Sequence, residues 1–309
     1  MDKIDLKIFK ELDSNPKLPL TQLAKKCRIS QQVADYRMKR MLGTEVIQKF
    51  GTIVNLKSVG LEQYRIFFML DSKFRNDEIF GYLKKEKGVY WAARVGGRYD
   101  LMVVLFVSDL AEHDNFIDKF NTKFEGIVKD FSSNYAKEHW LFRHKYANED
   151  FKAFKSTCND PTQEIDELDR YILQQIKDNC RLSSVEIAAK KKISYKTVLN
   201  RIKSLEERKI ILGYRLFVKS KKHKPFGVLV SFQNYSTMQE RKLMAYLSQL
   251  LSVTQVVNLY GQWSMFLHIR AQNHEELQDI LIDLRNKFSI IDSYEIIPAF
   301  EDIEINLFP

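Results

Sequence analysis

Cysteine is scarce in this 309-residue chain: Cys27, Cys158 and Cys180 are odd in number and scattered, with no Cys-x-x-Cys pair. A disulfide frame and a thiolate zinc site are therefore not expected, and a reducing, cytoplasmic setting is. No apolar run reaches the ~18 residues of a membrane helix, so no membrane partner is expected. The opening MDKIDLKIFKEL is charged and helical in period, unlike a signal peptide. The histidines, His113, His139, His144, His223, His268 and His274, are dispersed. No Ser/His/Asp order, paired catalytic carboxylates or Gly-rich phosphate loop is apparent, so neither an enzyme, nor a metal, nor a cofactor is expected.

What is abundant is positive charge, in two places. The net charge is +9. Residues 1–57 carry +6, 58–163 are neutral, 164–224 carry +8 and 225–309 carry −5. Segregation of this kind points to two windows that meet a polyanion.

The two windows are copies. At an offset of 164, residues 4–50 align with 168–214 without gaps, with eleven identities that include Asp5/Asp169, Ser30/Ser194 and Arg37/Arg201. Each copy opens with three helix-like segments. Ser183 and Glu186 have capping-box spacing, with Pro19 in the matching place of copy one. Ser30 and Ser194 stand where an N-cap is needed for the third helix. Val198, Ile202 and Leu205 form one apolar stripe, as do Ala34, Met38 and Met41. A short helix, a tight turn at Arg28-Ile29 or Lys192-Ile193, and a polar capped helix make a helix-turn-helix, whose second helix enters the major groove. The candidate DNA-binding residues are Gln31, Gln32, Asp35, Tyr36, Arg37 and Lys39 in copy one. In copy two they are Tyr195, Lys196, Thr197, Asn200, Arg201 and Lys203. Gln and Asn match adenine, Lys matches guanine or phosphate, and Asp matches cytosine while repelling phosphate. Residues 46–55 and 210–219 read as a wing or a connecting strand, followed by a basic tail of Lys219, Lys221, Lys222 and Lys224.

After residue 60 the pattern changes. Segments 64–70, 89–95, 101–107 and 127–135 read as strands, with helices at 77–86 and 112–124. Copy two repeats the order, giving βαββαβ, a ferredoxin-like unit. LMVVLFV at 101–107 is apolar on both alternations, so both faces of the sheet require burial. Helices cover one face, and the duplicate sheet is expected to cover the other. The predicted fold is α+β: helix-turn-helix domains at 1–57 and 164–224, sheet domains at 58–147 and 225–309, and a linker at 148–163, forming an internal pseudo-dimer.

The chain resembles the leucine-responsive/AsnC transcription regulators in tandem. Leu168-Asp169, Ile172-Leu173, Glu186-Ile187-Ala188, Ile193-Ser194, Arg201-Ile202, Ile210-Ile211, Gly213-Tyr214 and Gly97-Arg98-Tyr99-Asp100 carry the resemblance. It implies a winged helix-turn-helix, a ligand-sensing sheet domain, double-stranded DNA as partner, an amino-acid effector and room for further homo-oligomerisation. It implies effector binding at Gly97, Arg98, Tyr99 and Asp100; the bland alternative is a tight turn that needs a positive-φ glycine. Copy two departs here, reading Gly261-Gln262-Trp263-Ser264. A glycine expected before the wing is replaced by Glu45 and Lys209. His268 and Arg270 replace Val104 and Phe106 on one strand face. Two rival readings remain: a tetrapyrrole enzyme similar to siroheme decarboxylases, and an architectural or sensor protein without specific DNA readout.

Overall fold

The computed structural model describes residues 2–44, 46–71, 76–145, 153–219 and 223–304. The first head comprises Lys3–Ser14 (α1), Leu20–Cys27 (α2), Gln31–Gly43 (α3) and Ile47–Val54 (β1). The first sheet domain runs Glu62–Leu70 (β2), Asn76–Leu83 (α4), Val89–Val95 (β3), Leu101–Val107 (β4), Leu110–Lys123 (α5) and Val128–Phe142 (β5). The segment read as a linker contains Ala153–Thr157 (β6), which pairs with β5. The second head is Glu167–Ile176 (α6), Ser184–Lys191 (α7), Tyr195–Glu207 (α8) and Ile211–Val218 (β7). The second sheet domain is Lys224–Phe232 (β8), Thr237–Gln249 (α9), Val253–Tyr260 (β9), Met265–Ala271 (β10), His274–Lys287 (α10), Ile291–Ile297 (β11) and Ala299–Glu304 (β12). Of the basic tail, Lys221 and Lys222 lie outside the described residues, as does Glu45. No helix among the described residues is long and apolar enough to cross a membrane.

The described chain forms two compact units, one built from both heads and one from both sheets. In the first unit, β1 pairs antiparallel with β7, Phe50 opposite Leu216. The strand after each third helix therefore finds its partner in the other copy. Cys180 and Leu216 enter the core of the first head beside Ile8, Leu12, Met41 and Phe50. Lys177 accepts from the Thr52 amide at 2.9 Å and Phe50 accepts from the Cys180 amide at 2.7 Å. These contacts make one body of the two heads.

In the second unit the strand order is β11-β8-β10-β9-β5-β2-β4-β3-β12. The four strands of each βαββαβ repeat are adjacent, and the repeats exchange their ends. The far half of β5 pairs with β9, Tyr135 opposite Tyr260. Reciprocally, β12 pairs with β3, Ala299 opposite Val95. Pro298, which has no N–H, stands between β11 and β12, whereas β5 runs unbroken through Tyr135, which corresponds to it in the strand register. Alternation along β4 sends Leu101, Val103, Leu105 and Val107 toward Phe116 and Phe120 of α5. Met102 and Val104 pack with Phe67, Ala93 and Val95 against Leu229, Val257, Leu259, Trp263 and Phe266 of the second copy. The second face is covered by the duplicate, as the double alternation of LMVVLFV requires.

The helix starts follow the predicted chemistry. Ser30 accepts from the Val33 amide and Ser194 from the Lys196 amide, each at 3.2 Å. Ser183 and Glu186 form a capping box, and Asp2 with Asp5 forms another at α1. The turns into α3 and α8 are made by Arg28 and Lys192 in the left-handed region, at φ 57° and 55°. Lys209 is left-handed too, at φ 57°. This is the place before the strand where a glycine was expected, and Lys keeps the glycine's conformation at a steric cost. Gly97, at φ 90°, occupies a like region where a side chain is strained. Lys209→Gly is expected to raise stability by up to about 1 kcal/mol, and Gly97→Ala to lower it by about 1–3 kcal/mol, in urea denaturation of each variant.

Candidate nucleic-acid interface

The inward stripes of α3 and α8 leave the opposite faces open. Ala34 and Met41 are buried, as are Val198, Ile202 and Leu205. Gln31, Gln32, Tyr36 and Lys39 are exposed on α3, and Tyr195, Lys196, Thr197, Asn200 and Lys203 on α8. Asp35 accepts from Lys39 Nζ at 2.7 Å, which neutralises the charge that would repel phosphate. Two residues missed in the sequence reading share these faces: Val33, 40% exposed, and Leu199, 49% exposed. Each is apolar and off the inward stripe, which is the signal that marks it. Such side chains suit contact with a thymine methyl.

Arg37 and Arg201, expected on the DNA face, require correction. Arg37 donates to Asp2 at 2.6 Å and to the buried Asp5 at 2.8 Å. Arg40 reaches the other Asp5 oxygen at 2.6 Å. In copy two, Arg201 bridges Asp166 at 2.8 Å and the buried Asp169 at 3.3 Å. The Asp5/Asp169 and Arg37/Arg201 identities are therefore partners in one interaction. A carboxylate buried in the first helix needs a counter-ion, and the reading helix supplies it. This bond orients the reading helix and occupies the guanidinium. Burial works to raise the Asp5 carboxyl, but hydrogen bonds from Arg37 and the Asp2 amide, with the charge of Arg40, hold it below the ordinary aspartate range. The Arg37 hydrogen bond is the chief reason that Asp2 is lowered to about 2.

The Gly97–Asp100 segment also differs from what the resemblance implies. The Arg98 amide donates to Glu295 at 2.8 Å. Tyr99 is 1% exposed, and its hydroxyl accepts from Trp263 Nε1 at 3.0 Å and donates to Gln262 at 3.3 Å. Asp100 accepts from the Leu70 amide at 2.8 Å. In copy two Ser264 does the same work, accepting from the Phe232 amide at 3.1 Å. The Tyr99 and Asp100 side chains are engaged in closing the turn, whereas the Arg98 side chain is exposed, its guanidinium over the Tyr99 ring. Tyr99 and Trp263 occupy equivalent places in the two copies, so the two turns meet through this bond.

Among the histidines, His113 forms a chain that the sequence order did not reveal. Its Nε2 lies 2.8 Å from Ser133 Oγ and its Nδ1 3.0 Å from Asp114. The orienting carboxylate of a nucleophilic triad is buried, whereas the Asp114 side chain is 66% exposed. Tyr64 stacks on the imidazole, ring centroids 4.2 Å apart. The arrangement is that of a helix-to-sheet packing contact. His268 lies 2.5 Å from Thr254 Oγ1, and His139 lies 2.6 Å from Gln255.

Two capped helix-turn-helix heads and two ferredoxin-like sheets folded face to face define a class of regulator in which both halves of a dimer occupy one chain. A family model for a winged helix-turn-helix DNA-binding domain matches residues 1–48 and again 165–211. An uncharacterised HTH-type transcriptional regulator of Pyrococcus horikoshii is 30% identical over 122 residues, covering 38% of this chain and 81% of that protein. The regulatory protein AsnC of Escherichia coli is 29% identical over 132 residues, 42% of this chain and 85% of that protein. The chain belongs to the leucine-responsive/AsnC family of HTH-type transcriptional regulators. Each relative matches less than half of this chain, as two family-length copies in tandem require. Among solved structures, the siroheme decarboxylase NirDL superposes with a TM-score of 0.69 over 97% of this chain and 92% of its own, at 14% identity. That likeness is one of fold.

The aspartates that bind Arg37 carry a pH signature. Asp2 and Asp5 are both depressed, so their stabilisation is complete above the unfolded value of ~3.9 and is lost as pH falls through the folded values. Asp5→Asn is expected to lower stability at pH 7 by roughly 1–3 kcal/mol and to flatten the loss of stability on acidification. Urea midpoints of wild type and variant at neutral and acid pH measure both.

Proposed function

We propose that this chain is a sequence-specific, double-stranded DNA-binding transcription regulator that carries both reading heads of a dimer in cis, without enzymatic activity. The observation that carries the reading is the exposed first turn of a capped, polar third helix in both heads, within the two cationic windows of the chain. Gln31, Gln32 and Tyr36 would read bases from copy one, with Lys39 near phosphate. Tyr195, Lys196, Thr197, Asn200 and Lys203 would serve copy two. The segments 1–57 and 164–224 act as reading modules, and 58–147 and 225–309 act in assembly and effector response. Family membership supports an effector as well as DNA, although the Gly97–Asp100 turn is a poor place for one. The readers differ in sequence, so the preferred site is non-palindromic.

The rival reading is a tetrapyrrole decarboxylase, favoured by the fold shared with NirDL over nearly the whole chain. The protein purified from cells is expected to show no tetrapyrrole absorbance band; a stoichiometric band would replace the present reading with the enzymatic one.

Linked readers gain effective concentration, and phosphate contacts make binding salt-dependent. Lys196→Ala with Lys203→Ala is expected to weaken affinity for the preferred site and to flatten the plot of log K against log salt by ~1–2. Arg201→Ala is expected to lower the melting temperature instead. Unchanged affinity and slope in the double variant would remove α8 as a reader.

A further inference from the structure

Arg65 is explained neither by the heads nor by the turns. It sits mid-strand on β2, opposite Val104 on one side and Asn134 on the other. It shares its face with Phe67 and Met69, which line the core between the sheets. The residue is 4% exposed. Its guanidinium lies over the Phe266 ring of the second copy, 4.5 Å from the centroid. Its Nε has no hydrogen-bond partner, and among the described residues no carboxylate pairs with it. Burial pushes the group down to about 9, so it is still a cation at neutral pH. A buried cation without a counter-ion is costly. The fold does not demand one: in the strand register the same place in copy two is Gly227, opposite His268 as Arg65 is opposite Val104. The duplicate is thus an internal control, showing that the strand forms with no side chain at this position.

We propose that Arg65, lying against Phe266 between the two sheets, binds the carboxylate or phosphate oxygens of a small anionic ligand. The ring fixes the plane of the guanidinium, and the N–H groups at its edge form the fork that grips a planar oxyanion. On the same face of β10 and β9, one row along from Phe266 and Val257, stand His268 and Gln255. Copy one has Val104 and Trp91 in those places. The wall offered by copy two is therefore the polar one, suited to hydrogen bonding the rest of a ligand. Because Arg65 is unique to copy one, each chain has one site, fed by both halves.

The inference goes beyond DNA reading and does not rest on it. The test is thermal unfolding without DNA, titrating the individual L-amino acids, citrate or inorganic phosphate, with sodium chloride at matched ionic strength as control. Wild type is expected to show a saturable rise of ~5 °C at a hundredfold excess over Kd with at least one of these anions. The probe that succeeds separates a carboxylate from a phosphate ligand. Arg65→Leu is expected to melt higher than wild type without anion and to lose the saturable response. Arg65→Lys, which keeps the charge but not the fork, is expected to respond with ~10-fold weaker affinity. Absence of a saturable rise in wild type, an equal rise in Arg65→Leu, or a lower melting point of Arg65→Leu without anion would each overturn the proposal. Loss of DNA affinity on changing Lys196 leaves this readout untouched, so the two readings fail separately.

Discussion

A four-stranded sheet with helices on one face and apolar residues on both has an unmet requirement. Each buried Val, Leu or Phe contributes about 1.5–3 kcal/mol when removed from water, and the strand LMVVLFV places such residues on both sides. Met102 and Val104 are as deeply buried as Val103 and Leu105. They are covered by Phe266, Val257 and Leu229 from the other half of the chain. Exchange of strand ends, β5 onto β9 and β12 onto β3, adds hydrogen bonds in both directions across this contact. The heads repeat the logic with β1 on β7.

Joining the halves in one chain frees equivalent positions to differ. In a symmetric pair Tyr99 would meet a second Tyr; here it meets Trp263, which donates where a phenol accepts. Arg65 lies in the core between the sheets where copy two has Gly227. The reading helices differ likewise, Gln31 against Tyr195 and Tyr36 against Asn200. What is kept identical is the Asp5–Arg37 and Asp169–Arg201 bond, which aims each reading helix and so is needed twice.

Local features were legible in the sequence because their causes are local. Ser30 and Ser194 start α3 and α8 where predicted, and strands 89–95, 101–107 and 265–271 stand at the residues read. The double alternation of β4 revealed the facing sheet before its residues were known. The far half of β5 and the whole of β12 escaped notice because their pairing partners lie more than a hundred residues away. The β1–β7 pairing was hidden for the same reason, since a lone strand does not announce its neighbour. At the candidate site, the exposed polar face of each third helix was readable from its stripe. The commitment of Arg37 and Arg201 was not, because a helical wheel shows which way a side chain points but not which buried carboxylate it meets. Tyr99 and Asp100 kept the appearance of ligand-binding residues until their partners, Trp263 and Leu70, were in place.

The interlocked core is tested most directly by a double-mutant cycle on the bond that crosses it. Tyr99→Phe, Trp263→Phe and the double variant are unfolded in urea alongside wild type. A coupling of ~0.5–3 kcal/mol between residues 164 positions apart is the result the facing sheets predict. Losses that simply add, to within ~0.3 kcal/mol, would mean the two halves do not meet there, and would contradict the account.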